Sequence, residues 1–267
     1  MLVVILFGYG VIFGSFINAL VWRMHGRSIG KKVPSIFHGR SMCPNCKHVL
    51  AAKDLVPVVS WLSLHGRCRY CRRPVSAQYP LVELLTGLLF VIFYLGWPFS
   101  LSGLHLVWFF YGLLYIIFFV ALAVYDYKWF LLPDKLVFSL TALASSQVVV
   151  TTLWQRDFQA FIEPLFGGAL FFGIFWVIYQ LSSGKWIGGG DVKLAFALGL
   201  IVGGPLEAMM VLFAASSLGT LVSVPLIVRQ KKGLQQHIPF GPYLLAGCFI
   251  VMLYSERITN WYTGLFL

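Results

Sequence analysis

The chain has 267 residues, of which 59% are hydrophobic, 17% aromatic and only 11% charged. That leaves too little polar surface to cover a soluble globule of this size, which excludes the soluble classes and points to an integral membrane protein. The net charge of +11 would suggest nucleic acid in a soluble protein, but eleven of the twenty Lys and Arg fall between Arg23 and Arg73; basic residues gathered in one loop of a membrane protein are first a topology signal, so no nucleic-acid partner is expected.

Residues 1–22 are apolar and long enough to cross a bilayer, which takes about 20 residues. No basic region precedes them and Arg23-Met24-His25 follows, so they read as a retained first span with its N-terminus outside rather than a cleaved signal peptide. Within this span Gly14-Ser15-Phe16-Ile17-Asn18 is small and polar for lipid, and suits a helix-packing face with Asn18 hydrogen-bonded to a neighbour.

Residues 25–79 form the only sizeable polar segment. Cys43-Pro44-Asn45-Cys46 and Cys68-Arg69-Tyr70-Cys71 stand twenty-one residues apart, which matches a tetrahedral four-thiolate zinc site with two ligands from each knuckle. With few aliphatic side chains to bury, the segment has a clear use for a metal staple. A pair of disulfides is the competing reading and needs an oxidising compartment. The basic density of the loop favours the cytoplasm, and Lys47, Arg67, Arg69, Arg72 and Arg73 favour thiolates. Cys248 lies in an apolar run and reads as a small core residue.

A second span covers 81–97, with Glu83 near its cytoplasmic start, where a partner arginine is expected. The third, 104–125, delivers Asp126 to the cytoplasmic boundary. Leu132-Pro133-Asp134-Lys135 restarts a helix over 136–153, with Asp134 as its N-cap. A short external loop at 151–164 and a span at 165–181 follow. After Trp186-Ile187-Gly188-Gly189-Gly190-Asp191-Val192-Lys193, the apolar run 192–202 is short and is broken by Gly203-Gly204-Pro205; 206–228 then leads to Arg229-Gln230-Lys231-Lys232. Counting the broken stretch as two spans places Arg229, Lys231 and Lys232 inside, as the positive-inside rule prefers. A last span, 240–254, begins behind His237-Ile238-Pro239-Phe240-Gly241-Pro242-Tyr243. The expected fold is an all-α membrane protein of about eight transmembrane helices with both termini outside, leaving only Arg156 and Arg257 of the basic residues outside. Its expected organisation is a first helix at 1–22, a small cytoplasmic zinc-binding loop domain at 23–79 between helices one and two, and a membrane domain at 80–267.

Asp126 and Asp191 each sit at the edge of a long apolar run, where a carboxylate is a functional-site candidate. They are expected to form a catalytic pair. Two carboxylates a few ångströms apart share one proton; the ionised member takes a proton from water while the protonated one polarises the scissile carbonyl, with no metal or covalent intermediate needed. Gly188 and Gly190 are expected to allow close approach and positive φ, with Lys193 and Asp134 supporting the catalytic loop. The plainer reading makes Asp191 a helix N-cap and Asp126 a helix-end residue; two such placements among only nine acidic residues favour the pair.

Together these residues resemble the bacterial type IV prepilin peptidases, which also process type II secretion pseudopilins. The resemblance runs through Gly14 to Asn18, the paired Cys-x-x-Cys loop, Asp54-Leu55-Val56-Pro57 with Ser60-Trp61-Leu62, Tyr79-Pro80-Leu81-Val82-Glu83-Leu84, Asp126 with Leu132-Pro133-Asp134, Gly188-Gly189-Gly190-Asp191-Val192-Lys193, and Ile238-Pro239-Phe240-Gly241-Pro242-Tyr243. It implies a Gly-x-Gly-Asp aspartyl protease of the bacterial inner membrane with Asp126 and Asp191 as its pair and its catalytic face cytoplasmic. The implied substrates are prepilins or pseudopilins with a basic cytoplasmic leader and an apolar helix in the lipid, cut between a glycine and the first residue of that helix, usually phenylalanine. Members with a tetra-cysteine loop commonly also methylate the new N-terminal amine with S-adenosylmethionine; that donor rests on resemblance alone, and no residue is assigned to it. Tyr125-Asp126 and Gly188-x-Gly190-Asp191 also resemble the presenilin and signal-peptide-peptidase group, whose Pro-Ala-Leu element this chain lacks. The alternative from another class is a small transporter with a cytoplasmic zinc-binding regulatory loop and membrane-embedded acids as proton carriers; inverted repeats would favour it, and none are visible.

Overall fold

The computed structural model describes residues 1–31, 33, 39–230 and 239–264. Lys231, Lys232, His237 and Ile238, which entered the topology count and the last motif, lie outside the described residues. The described residues form the helices α1 (Leu2–Ser28), α2 (Val59–Ser63), α3 (Gln78–Gly96), α4 (Gly103–Trp129), α5 (Asp134–Gln155), α6 (Gln159–Ser182), α7 (Gly189–Val202), α8 (Pro205–Gln230) and α9 (Gly241–Thr263), with a 3-10 turn at Ala52–Asp54. Among them there is no strand, only two isolated antiparallel bridges, Met42 to Val49 and Arg67 to Pro74.

Six of these helices, α1, α3, α4, α5, α6 and α8, are long and apolar enough to cross a membrane, against the eight spans expected. The 14-residue α7 rises only about 21 Å. In α9 the apolar stretch gives way to Ser255, Glu256 and Arg257. Helix ends also differ from expectation. α1 continues through His25 and Arg27, and the positive charge of Arg27 suits a helix C-terminus. The external loop expected at 151–164 shrinks to three residues, 156–158, and Pro164 lies inside α6. α5 runs on through Thr152, whose hydroxyl donates back to the Val148 carbonyl at 2.8 Å, and stops where Arg156 turns left-handed, φ 53°.

The chain divides into two compact units, Met1–Leu95 and Gly96–Leu267. In the first, α1 and α3 meet backbone to backbone: a Cβ on Gly10 would lie 2.7 Å from Gly87 Cα, and one on Gly14 2.6 Å from Glu83 Cα. Lipid is as apolar as leucine, so such a pair is held by close packing and polar bonds. Asn18 supplies the bonds, donating to the Tyr79 carbonyl at 3.1 Å and accepting from Gln78 at 3.4 Å, as the sequence suggested. Gly14→Val is expected to cost about 1–3 kcal/mol by overpacking, read as a lower melting temperature in detergent.

In the second unit the short α7 is the buried centre, packed against α5, α6, α8 and α9, with Leu194, Ala195, Ala197 and Leu198 fully covered. Gly199 and Gly167 bring α7 onto α6; a Cβ on Gly199 would lie 2.5 Å from the Gly167 carbonyl oxygen. Polar side chains join α4 to α5: Trp108 donates to Thr151 at 2.8 Å, Tyr115 to Gln147, and Tyr111 pairs with Ser146. α4, which carries Asp126 in its last turn, is therefore braced against α5 over its N-terminal half, and α7, which carries Asp191 in its first turn, is enclosed on several sides.

Candidate active site and metal centre

Asp126 lies in the last turn of α4, is 5% exposed, and accepts the backbone N–H of Gly241, the first residue of α9. A Cβ at position 241 would lie 2.5 Å from Asp126 Oδ2, so glycine is what lets the carboxylate approach. Asp191 is the third residue of α7. Its Oδ2 faces Gly188, whose N–H its carboxylate accepts, while Oδ1 is buried without a hydrogen-bond donor among the described residues. Both carboxylates thus sit at helix N-termini, where free N–H groups and the helix dipole favour negative charge. They lie within electrostatic reach of each other. Leu132 adjoins both helix starts: a Cβ on Gly190 would lie 2.9 Å from its Cβ, and one on Gly241 3.6 Å from its Cδ2. A buried acceptor without a donor costs about 1–3 kcal/mol, which leaves Asp191 Oδ1 suited to accept a proton or a hydrogen bond from a reactant.

Several sequence expectations change here. Gly188, not Asp191, is the N-cap of α7. The glycines of the motif do not serve positive φ: Gly188 has φ −73° and Gly190 is helical, while the left-handed residues are Ser183 and Gly184, φ 50° and 73°, which close α6. Gly190 matters because Leu132 occupies the space of its missing Cβ, whereas at Gly189 the nearest atom is 3.8 Å away. Gly190→Ala is therefore expected to cost about 1–3 kcal/mol and to slow turnover, while Gly189→Ala stays neutral or gains up to about 1 kcal/mol of helix propensity; melting curves and initial rates of the two variants check this.

Asp134 does not cap α5 either. Pro133 holds the cap position, and Asp134, already helical, accepts Lys193 Nζ at 2.7 Å. The pair is exposed, 42% and 56%, and is worth at most about 1 kcal/mol. Its effect is geometric: the first residue of α5 is tied to α7 two positions after Asp191. Glu83, in the first unit, has neutral partners where an arginine was expected. It accepts the Val58 N–H at 2.7 Å and the Ser15 hydroxyl, at a close backbone crossing that leaves little room for a long side chain.

The cysteine loop of the first unit is built from two like knuckles. Cys43 N–H donates to His48 and Lys47 N–H returns to Cys43; Cys68 N–H donates to Arg73 and Arg72 N–H returns to Cys68. Lys47 and Arg72 hold the same left-handed φ, 58° and 57°. All four Sγ atoms lie within 4.8 Å of one another, every cysteine is a free thiol, and Cys43 Sγ is 3.9 Å from Cys71 Sγ. A tetrahedral ion with arms of about 2.3 Å sets its sulfurs about 3.8 Å apart, so the donor set fits a divalent metal. Burial raises the Cys43 thiol, but the N–H groups of Cys46 and Asn45 outweigh it and bring it to about 7. Cys46, whose thiolate the His48 N–H favours, is nonetheless pushed to about 11 by desolvation and by the Cys43 and Cys71 sulfurs. A bound cation removes that conflict by taking all four as thiolates. Asp54 braces the loop, accepting Arg69 at 2.6 Å, Tyr70 at 3.0 Å and the Ala51 N–H at 3.2 Å. Arg69 holds its carboxyl below the usual range, so this tie is complete above the ordinary carboxylate pKa and is lost only as pH falls through the lower folded value. Cys248, in the second unit, is fully covered, as a core residue should be.

The sequence model described as the Type IV leader peptidase family matches residues 113–224, and the one described as the Bacterial Peptidase A24 N-terminal domain matches residues 9–97. A "Prepilin leader peptidase/N-methyltransferase" of Aeromonas hydrophila is 32% identical, covering 98% of this chain and 94% of its own. The chain belongs to the type IV leader peptidase family. Among further relatives, a protein of the same name from Bacillus subtilis is 29% identical over 97% of this chain and 96% of its own. The "Type 4 prepilin-like proteins leader peptide-processing enzyme" of Escherichia coli is 34% identical over 89% and 88%. No solved structure matches. In this leader peptidase the two matched stretches separate the candidate chemistry, the four cysteines falling in the first and Asp126 and Asp191 in the second. Gly241 lies beyond both. Its motif, Pro239-Phe240-Gly241-Pro242, is visible in the sequence, but its contact with Asp126 is tertiary.

Proposed function

We propose that this leader peptidase hydrolyses the leader from prepilins or pseudopilins at the cytoplasmic boundary of the bacterial inner membrane, with Asp126 and Asp191 as its catalytic pair. The observation that carries the reading is the convergence of two acids at helix N-termini on either side of Leu132, one with a buried, unpartnered oxygen. The ionised carboxylate takes a proton from water while the protonated one donates to the scissile carbonyl. Water adds to give a tetrahedral diol. Its collapse returns a proton to the leaving nitrogen, releasing the leader with a carboxylate and the pilin with a free N-terminal amine. Helix N-termini stabilise negative charge that passes between the acids and the diol.

In the same proposal Cys43, Cys46, Cys68 and Cys71 hold a structural Zn2+ that shapes the segment between α1 and α3, and this segment serves methylation of the new amine. S-adenosylmethionine supplies the electrophilic methyl group; no residue is assigned to its binding. Residues 23–79 would then be the methylation-associated domain and 80–267 the peptidase. α7 and α9 complete eight spans within that topology, which keeps the basic loop inside.

The test is the mass of the products when a prepilin is incubated in lipid with the purified enzyme, with and without S-adenosylmethionine. The expected products are the free leader and a pilin starting at the residue after the leader's glycine, heavier by one methyl group only when the donor is present. An uncut prepilin, with the enzyme folded, would refute the reading.

A further inference from the structure

We propose that Leu132 is the spacer that fixes the separation of Asp126 and Asp191, a positioning residue that touches neither proton nor substrate; this deepens, and rests on, the aspartate-pair reading. Its side chain reaches the helix start that carries Asp191 and the helix start whose N–H Asp126 accepts. Cδ1 lies 3.5 Å from the Cβ position of Gly190, which precedes Asp191, and Cδ2 lies 3.6 Å from that of Gly241, whose N–H Asp126 accepts. The short bridge that carries Leu132 is pinned at one end to Asp126 and at the other to α7, the helix of Asp191. At one end Phe130, left-handed with φ 53°, closes α4 by donating its N–H to the Asp126 carbonyl at 2.8 Å. At the other, Pro133 fixes the entry to α5 and Asp134 is held by Lys193, two residues beyond Asp191. Glycine at 190 and 241 lets a branched apolar side chain lie against both backbones, so the span from one helix start to the other is set by its width. An apolar spacer also offers neither carboxylate a competing hydrogen bond, leaving Asp191 Oδ1 without a donor.

The experiment compares Leu132→Ala, Leu132→Val and Leu132→Met with wild type and Asp191→Asn, all in lipid, measuring kcat and KM for leader release and the melting temperature of each. Leu132→Ala is expected to lower kcat about 100-fold, as an ångström of misplacement does, with KM changed less than about threefold. Leu132→Val is expected to lose about 10-fold, and Leu132→Met, which keeps the reach, to return within about fivefold of wild type. A purely structural role would lower the melting temperature without this kcat order. The spacer is overturned if folded Leu132→Ala, or Leu132→Val should the alanine variant not fold, keeps wild-type kcat, if the loss lies in KM alone, or if methionine rescues nothing. Asp191→Asn separates the two claims: a variant that still cleaves refutes the aspartate pair itself, whereas a silent one beside a fully active Leu132→Ala refutes only the spacer.

Discussion

Asp191→Asn is expected to lower leader release about 10²–10⁴-fold, and Asp126→Asn by a similar factor, the range lost when a positioned proton-transfer group is removed. The amide is nearly the same shape, so the contacts with the starts of α7 and α9 persist while the ability to accept a proton is gone. Both variants should insert, melt near wild type and keep their metal, because the acids lie in Gly96–Leu267 and the cysteines in Met1–Leu95. Asp134→Asn gives the scale for a merely structural acid: it weakens one exposed ion pair, and its expected loss is about fivefold or less. Initial rates on one prepilin, normalised to folded enzyme, measure all three.

Replacing Cys43 and Cys46 with serine should empty the metal centre. Two of four thiolates disappear, and the remaining pair on the second knuckle cannot close a tetrahedron; bound zinc should fall from about one per chain to below about 0.1, since structural zinc contributes about 10–16 kcal/mol only when the whole ligand set is present. The loop has few apolar side chains to hold it otherwise; Trp61, packed on Gly66 and donating to the Val75 carbonyl at 3.0 Å, is a main one. Metal analysis and protease nicking between residues 40 and 75 check the result. Methyl transfer is expected to vanish while leader release falls less; equal loss of both would count against a division of labour between the units.

Much of this arrangement is legible in the sequence because the signals are local. Apolar runs reveal the long helices, two Cys-x-x-Cys knuckles reveal the four-cysteine cluster that could hold a metal, and acids at the edges of apolar runs single out Asp126 and Asp191. What escapes is whatever depends on a contact between distant positions. That Gly241 faces Asp126, that Leu132 fills the space beside Gly190, and that Asp134 answers Lys193 instead of capping its own helix are all tertiary facts. The role of α7 is hidden for a different reason. A short apolar run reads the same whether it faces lipid or is enclosed by protein, and only packing shows that this one is enclosed on several sides. Glu83 departs from the charge pairing usual for an interfacial acid because a close crossing of α1 and α3 leaves it a backbone N–H and a hydroxyl.

The most direct test of the account is leader release from one prepilin in lipid by metal-depleted wild-type enzyme, set beside fully metal-loaded Asp126→Asn and Asp191→Asn. The account predicts that the metal-depleted enzyme still cuts while neither aspartate variant gives product above background. Cleavage by either metal-loaded variant at a rate near wild type, with none from the metal-depleted enzyme, would contradict it and move the hydrolytic chemistry to the cysteine loop.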